Sequence, residues 1–90
     1  MTSSTRSSIA RESLRILDAR MRVIQKMHHR TNSRVIELAG RYETNRDVRR
    51  PGWPTRSADL ARRHSILCDA RDALANDWRE LNKWFMCLAR

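Results

Sequence analysis

LARRHSILCDARDALANDWRELNKWFMCL, residues 60–88, returns a leucine at every seventh position: Leu60, Leu67, Leu74, Leu81 and Leu88. No proline or glycine interrupts the run, so it describes one face of a long α-helix. His64, Arg71, Trp78 and Phe85 fill the alternating four-three positions, which makes the leucines a d-type seam with an uneven a-type seam beside it. Each leucine taken out of water contributes roughly 1.5–3 kcal/mol. An uncovered ladder would therefore aggregate or find a partner, and the rest of the chain reads as its cover.

The first half supplies a matching seam. Ala10, Leu14, Leu17, Met21, Ile24, His28, Thr31, Val35, Leu38 and Tyr42 keep the same four-three spacing. Ile9, Ile16, Val23 and Met27 widen the apolar arc to roughly 160°, more than a two-helix seam requires. A helix is expected over 9–43, preceded by a disordered Ser/Thr-rich tail over 1–8 that ends in an N-cap at Ser7 or Ser8. The polar stretch 28–33 and Gly40 are candidate break points, but the register runs through both and favours continuity. NRDVRRPGWPT, residues 45–55, holds both prolines and Gly52 and is the expected turn. The second helix is expected over 56–88, capped by Thr55 or Ser57, with Asp59 in its first turn.

A short connection makes the helices antiparallel neighbours. The expected fold is all-α, a single hairpin domain over 9–90 that dimerises into a helical bundle, since a 90-residue chain buries little surface alone. Folding about residue 50 places residue i opposite roughly 100 minus i, so Leu14 and Leu17 should meet Phe85 and Leu81, and Val35 and Leu38 should meet His64 and Leu60. His28 and Thr31 then fall opposite Arg71. These three form an expected buried polar layer that fixes register, completed by Asp72 or a dimer mate.

The net charge is +9, and only Lys26 and Lys83 of the nineteen cations are not arginine. Such a balance suits an acidic partner, whether protein or nucleic acid. Cys68 and Cys87 sit nineteen residues apart on one helix, roughly 28 Å, far beyond disulfide reach. Unpaired thiols fit the reducing cytoplasm. No window is apolar enough for a membrane span, and the first eight residues lack the apolar core of a secretory signal. A Ser- and Arg-rich start matches a transit peptide in composition, but Glu12 and Asp18 follow at once.

Catalytic and metal chemistry find no foothold. The adjacent His28 and His29 point about 100° apart on a helix, and with His64 they complete no ligand motif, so neither metal nor cofactor is expected. Length and charge resemble the all-helical chorismate mutases, but the cationic positions of that family do not align here, and no enzyme or small-molecule substrate is expected. Basic leucine zippers fail on geometry, because Pro51, Gly52 and Pro54 separate the arginines from the leucines. Resemblance to the small plasmid-encoded RNA-binding helical hairpins leaves a nucleic-acid reading through Arg11, Arg15, Arg22, Arg62, Arg63 and Arg79. Against it, carboxylates fall at helical pairing distance: Glu12 with Arg15, Asp18 with Arg22, Arg34 with Glu37, Asp59 with Arg63.

Trp78 and Phe85 belong to the seam, whereas Trp84 and Met86 lie off it and join Ile9, Ile16, Val23 and Met27 as the expected partner or dimer interface. With its wide apolar faces from Leu14 to Tyr42 and Leu60 to Leu88, joined at Pro51-Gly52-Trp53-Pro54, the chain resembles the small helical quorum-sensing antiactivators of the QslA type. That resemblance implies occlusion: an apolar helical face competes with the dimerisation of a LuxR-type transcription regulator.

Overall fold

A computed structural model of the chain describes residues 2–90, with side chains from Ser7 onward. It is an all-α antiparallel hairpin: α1 spans Thr2–Val48, α2 spans Trp53–Ala89, and four residues join them. The hairpin measures 74 × 15 × 14 Å.

Both seams face one another as their spacing demands. Along α1 every seam residue from Ala10 to Tyr42 is buried or half-buried, and the same holds from Leu60 to Phe85 along α2, while Leu88 is exposed. Among the described residues only Met21, Val35 and Leu38 are buried, each still 5–9% exposed, and α2 has no buried residue. The seam covers each ladder on one side only.

The helices are longer than the sequence suggests. α1 begins at Thr2, within the stretch expected as a Ser/Thr-rich tail. Ser and Thr cost a growing helix only a few tenths of a kcal/mol each, and no proline or glycine stands before Gly40 to stop it. Met1 lies outside the described residues. Residues 28–33 and Gly40 stay helical, and α1 runs past the expected end near residue 43 to Val48. Since α2 ends at Ala89, the first ten or so residues of α1 overhang it, and Ile9 is exposed there.

The turn is tighter than residues 45–55. At the end of α1, Arg49 takes a left-handed conformation (φ 54°) and donates its N–H to the Asn45 carbonyl at 3.1 Å, a single-bond αL cap that glycine usually supplies. Left-handed backbone costs a non-glycine residue roughly 1–2 kcal/mol. Two contacts offset it: the Arg49 Nε donates to the Arg46 carbonyl at 3.1 Å, and the guanidinium stacks 5.0 Å from the centre of the Trp53 ring. Next, Trp53 N–H donates to the Arg50 carbonyl at 2.9 Å across Pro51-Gly52, and Gly52 sits at φ 81°, ψ 9°. That is the geometry of a type II turn, with Pro at its second position and Gly at its third.

Gly52 is thus the N-cap of α2, with Pro54 in the first turn, and the expected caps Thr55 and Ser57 lie inside the helix. Asp59 falls beyond the first turn and pairs with Arg62 and Arg63. Ser57 serves another purpose. The Asn45 amide donates to Ser57 Oγ at 2.8 Å and to the Trp53 carbonyl at 2.9 Å, while its oxygen accepts from Arg56 Nε at 3.3 Å. One side chain brackets the end of α1 to the start of α2.

This bracket sets the register. Asn45 faces Ser57 and Asn32 faces Arg71, so residue i lies opposite roughly 102 minus i rather than 100 minus i. Leu17 therefore falls level with Phe85, Leu38 with His64 and Val35 with Leu67, a correction of about half a turn to the other expected pairs.

Removing the bracket with Asn45→Ala should destabilise the hairpin by about 1–3 kcal/mol in chemical denaturation, because three partners lose a hydrogen bond. Gly40 is helical and exposed, and a Cβ there would meet nothing within 4 Å. Gly40→Ala should accordingly stabilise the protein by about 0.5–1 kcal/mol in the same measurement.

Candidate functional site

Helical periodicity divides the hairpin into two broad sides flanking the seam. On one side a groove of about 580 Å³ is lined by Ala19, Arg20, Val23 and Ile24 of α1 and by Asp77, Glu80, Leu81 and Trp84 of α2. Ile9 and Ile16 precede Val23 at heptad spacing and Met27 follows one turn on, so all four project to this side. Towards the turn the same side continues over Ile66, which lines a second groove with Arg34, Glu37 and Arg41. All six of these large apolar side chains are exposed, Ile66 to 61% and Trp84 to 64%.

Of the expected interface residues, the structure therefore places Ile9, Ile16, Val23, Met27 and Trp84 on a common side. Met86 is two positions from Trp84 and projects about 200° away from it. It stands exposed on the opposite side, where Ile36 is the corresponding apolar residue of α1. Ile66 carries no signal in a pattern search for the seam, since it lies one place before Leu67. Only the pairing of the two helices puts it beside the α1 stripe.

Charged groups rim this side. Arg20, Asp77 and Glu80 line its open-end groove, and Arg34, Arg41 and Arg63 its turn-end groove. Between Asp18 and Glu37, α1 has no carboxylate but carries Arg20, Arg22, Lys26, Arg30 and Arg34. Arg22 bonds back to Asp18 at 3.1 Å. Glu12–Arg15 at 3.3 Å and Asp59–Arg63 at 3.0 Å also pair as their spacing suggests. Glu37, expected to take Arg34, takes Arg41 at 2.9 Å instead, because a glutamate four residues before its cation is the better helical geometry.

The expected nucleic-acid set does not gather into one patch. Arg11, Arg15, Arg22 and Arg79 belong to the Met86 side and Arg62 and Arg63 to the turn end of the hairpin. Arg15, Arg22, Arg62 and Arg63 are held by carboxylates, and Arg79 bonds to Asn76 at 2.7 Å.

The polar layer forms with a different membership. Arg71 Nη1 donates to Asn32 Oδ1 at 3.3 Å, and its Nε to Asp72 Oδ1 at 3.3 Å. The shifted register explains the change: Arg71 falls level with Thr31, whose neighbour Asn32 reaches it, while His28 drops to the level of Leu74. His28 lines a groove on the Met86 side with Leu74 and Trp78. Beneath that groove the Trp78 indole N–H is buried without an acceptor among the described residues.

Cys68 Sγ lies 3.7 Å from His64 Nδ1, but no third residue bonds to that imidazole among the described side chains, as a nucleophile and base require for orientation. Among the described residues no three His, Cys, Asp or Glu side chains cluster to hold a metal ion, and no helix is long and apolar enough to cross a membrane. No protein-family model, curated protein or solved structure matches the chain.

The Arg71 side chain is 30% exposed, so its charge is partly solvated and its removal leaves Asn32 and Asp72 free to turn to water. Arg71→Leu should keep or raise thermal stability while broadening the helix register. Cysteine cross-linking between Ala39→Cys and His64→Cys, which line one groove away from the Asn45 bracket, in a Cys68→Ser, Cys87→Ser chain, would read that register as a less complete intrachain bond.

Proposed function

We propose that the chain is a non-enzymatic regulatory protein that sequesters another protein. The partner in this reading is a transcription regulator of the LuxR type, and the chain acts as an antiactivator by covering the regulator's dimerisation surface. The observation that carries it is the exposed stripe Ile9–Ile16–Val23–Met27 with Trp84 and Ile66 across the groove. Monomeric soluble proteins rarely leave a contiguous apolar stripe of this length uncovered.

The rim refines the partner's chemistry. Burying the stripe contributes affinity, whereas the cations that line its grooves, Arg20, Arg34, Arg41 and Arg63, steer and select. A complementary surface is therefore an apolar helix face edged with carboxylates, laid lengthwise along the hairpin in the helix-in-groove manner. Two unpaired thiols, Cys68 and Cys87, suit work in the cytoplasm. Nothing in this mechanism requires a cofactor.

Protein capture and nucleic-acid binding respond oppositely to salt. Phosphate contacts release counterions and weaken steeply between about 50 and 200 mM salt, whereas an apolar contact persists. In a pull-down with nuclease, the captured regulator should remain at the higher salt and elute as a complex with one regulator chain per binding face by light scattering. Trp84→Ala should reduce capture by about tenfold or more, as loss of a buried aromatic anchor does. Met86→Ala, on the opposite side, and paired Arg62→Ala, Arg63→Ala should change it less. Retention of nucleic acid alone, lost at the higher salt, would overturn the proposal in favour of polyanion binding.

A further inference from the structure

The chain exposes 7294 Å², whereas a folded monomer of 10.7 kDa is expected to expose about 5,500 Å². Part of the excess is the elongated shape, and part is the apolar side that α1 and α2 share. That side is about 74 Å long and 15 Å broad. Two copies laid face to face would bury roughly 2,000 Å² in total, the lower bound for obligate homodimers.

Only one arrangement satisfies both the apolar and the charge pattern. A two-fold axis across the hairpin, through its middle, sets α1 on α1 of the second copy. It carries Ile9 and Ile16 onto the Arg34 and Arg41 end and brings Arg20 level with Arg30 of the second copy. An axis running along the hairpin instead stacks α1 of each copy on α2 of the other. The apolar open ends then coincide, with Ile16 and Val23 over Trp84. Arg20 then falls near Asp77 and Glu80 of the other copy's α2, the carboxylates that line this side. Small residues help the approach, since Ala70 and Ala73 are what α2 offers between Ile66 and Asp77. The two basic turns come to the same end, where Glu37 lies among Arg34, Arg41 and Arg63 on each copy and exposed charges more than about 8–10 Å apart are screened.

We infer that this side is the contact of a homodimer, a four-helix bundle in which α1 of each copy lies on α2 of the other and both turns share one end. The inference rests on the face alone and holds whether or not a regulator is captured there. If one is, it must displace the second copy, so that self-association and capture compete.

Sedimentation equilibrium of the full chain and of three variants tests the face. The wild type should be a dimer at micromolar concentration. Val23→Glu and Ile16→Glu should each raise the dimer dissociation constant by on the order of tenfold or more while helicity persists by circular dichroism. Ile36→Glu, on the opposite side, should not. A spin label at Arg50→Cys, in a Cys68→Ser, Cys87→Ser chain, tests the axis by the distance between the two turns. Shared ends place the labels within roughly 30 Å, the breadth of two hairpins, whereas opposed ends separate them by about the 74 Å length. A monomer at 100 µM or a dimer broken by Ile36→Glu and untouched by Val23→Glu overturns the contact. Labels a full length apart overturn the arrangement. Dimerisation without capture of a regulator would refute the antiactivator reading and leave this one standing.

Discussion

Two helices packed side by side touch along a line, and everything else in this molecule follows from how little a line can cover. In a bundle a ladder leucine has neighbours on several sides; in this hairpin each has one neighbouring helix. That is why the five leucines of α2 are half-buried at best and why even the most buried residues described, Met21, Val35 and Leu38, keep 5–9% of their surface exposed. Area taken from water is the main source of stability in a small domain. A chain that writes wide apolar stripes and then folds into a two-helix hairpin has left part of that source unused. The uncovered side is thus a structural shortfall and a binding resource at once.

Polar groups do the positioning that an apolar seam cannot. Leucines in a heptad attract one another in any register that keeps them inward, so sliding by one heptad costs little in contact area. Asn45 removes that freedom, because its amide is satisfied only when Ser57 and the Trp53 carbonyl stand beside it. Further along, Arg71 finds Asn32 only in the same register. Arg49 shows the same economy at the turn: it adopts a backbone conformation that suits glycine, and the stack on Trp53 holds it there. Trp78 has no such partner: its indole N–H is buried without an acceptor among the described residues.

Charge is arranged on two scales. Locally, most carboxylates satisfy an arginine within one helical turn, as Glu12, Asp18, Glu37 and Asp59 do. These exposed pairs contribute little to stability. Across the open end of the apolar side, Arg20 of α1 faces Asp77 and Glu80 of α2. This gives the apolar side an orientation, since a surface approaching it there meets positive charge along one edge and negative along the other.

The sequence by itself determined the two helices, their antiparallel pairing and the identity of nearly every seam residue, because heptad spacing is a property of one chain read against one helical period. It also carried the turn, whose Pro51-Gly52 pair admits few geometries. It did not determine where the helices end. Serines and threonines at the start of α1 are compatible with a tail or a helix, and the difference of a few tenths of a kcal/mol per residue lies below what composition resolves. Asn45 was legible in principle, since the α1 ladder reaches it three residues after Tyr42, but a polar residue in that position reads as the end of a seam until Ser57 stands opposite. The register, the partner of Arg71, and the side on which Ile66 and Trp84 join the α1 stripe while Met86 does not came from the packing of the two helices. Each of these depends on how two helices are rotated and slid against one another, and no periodicity within either helix contains that information.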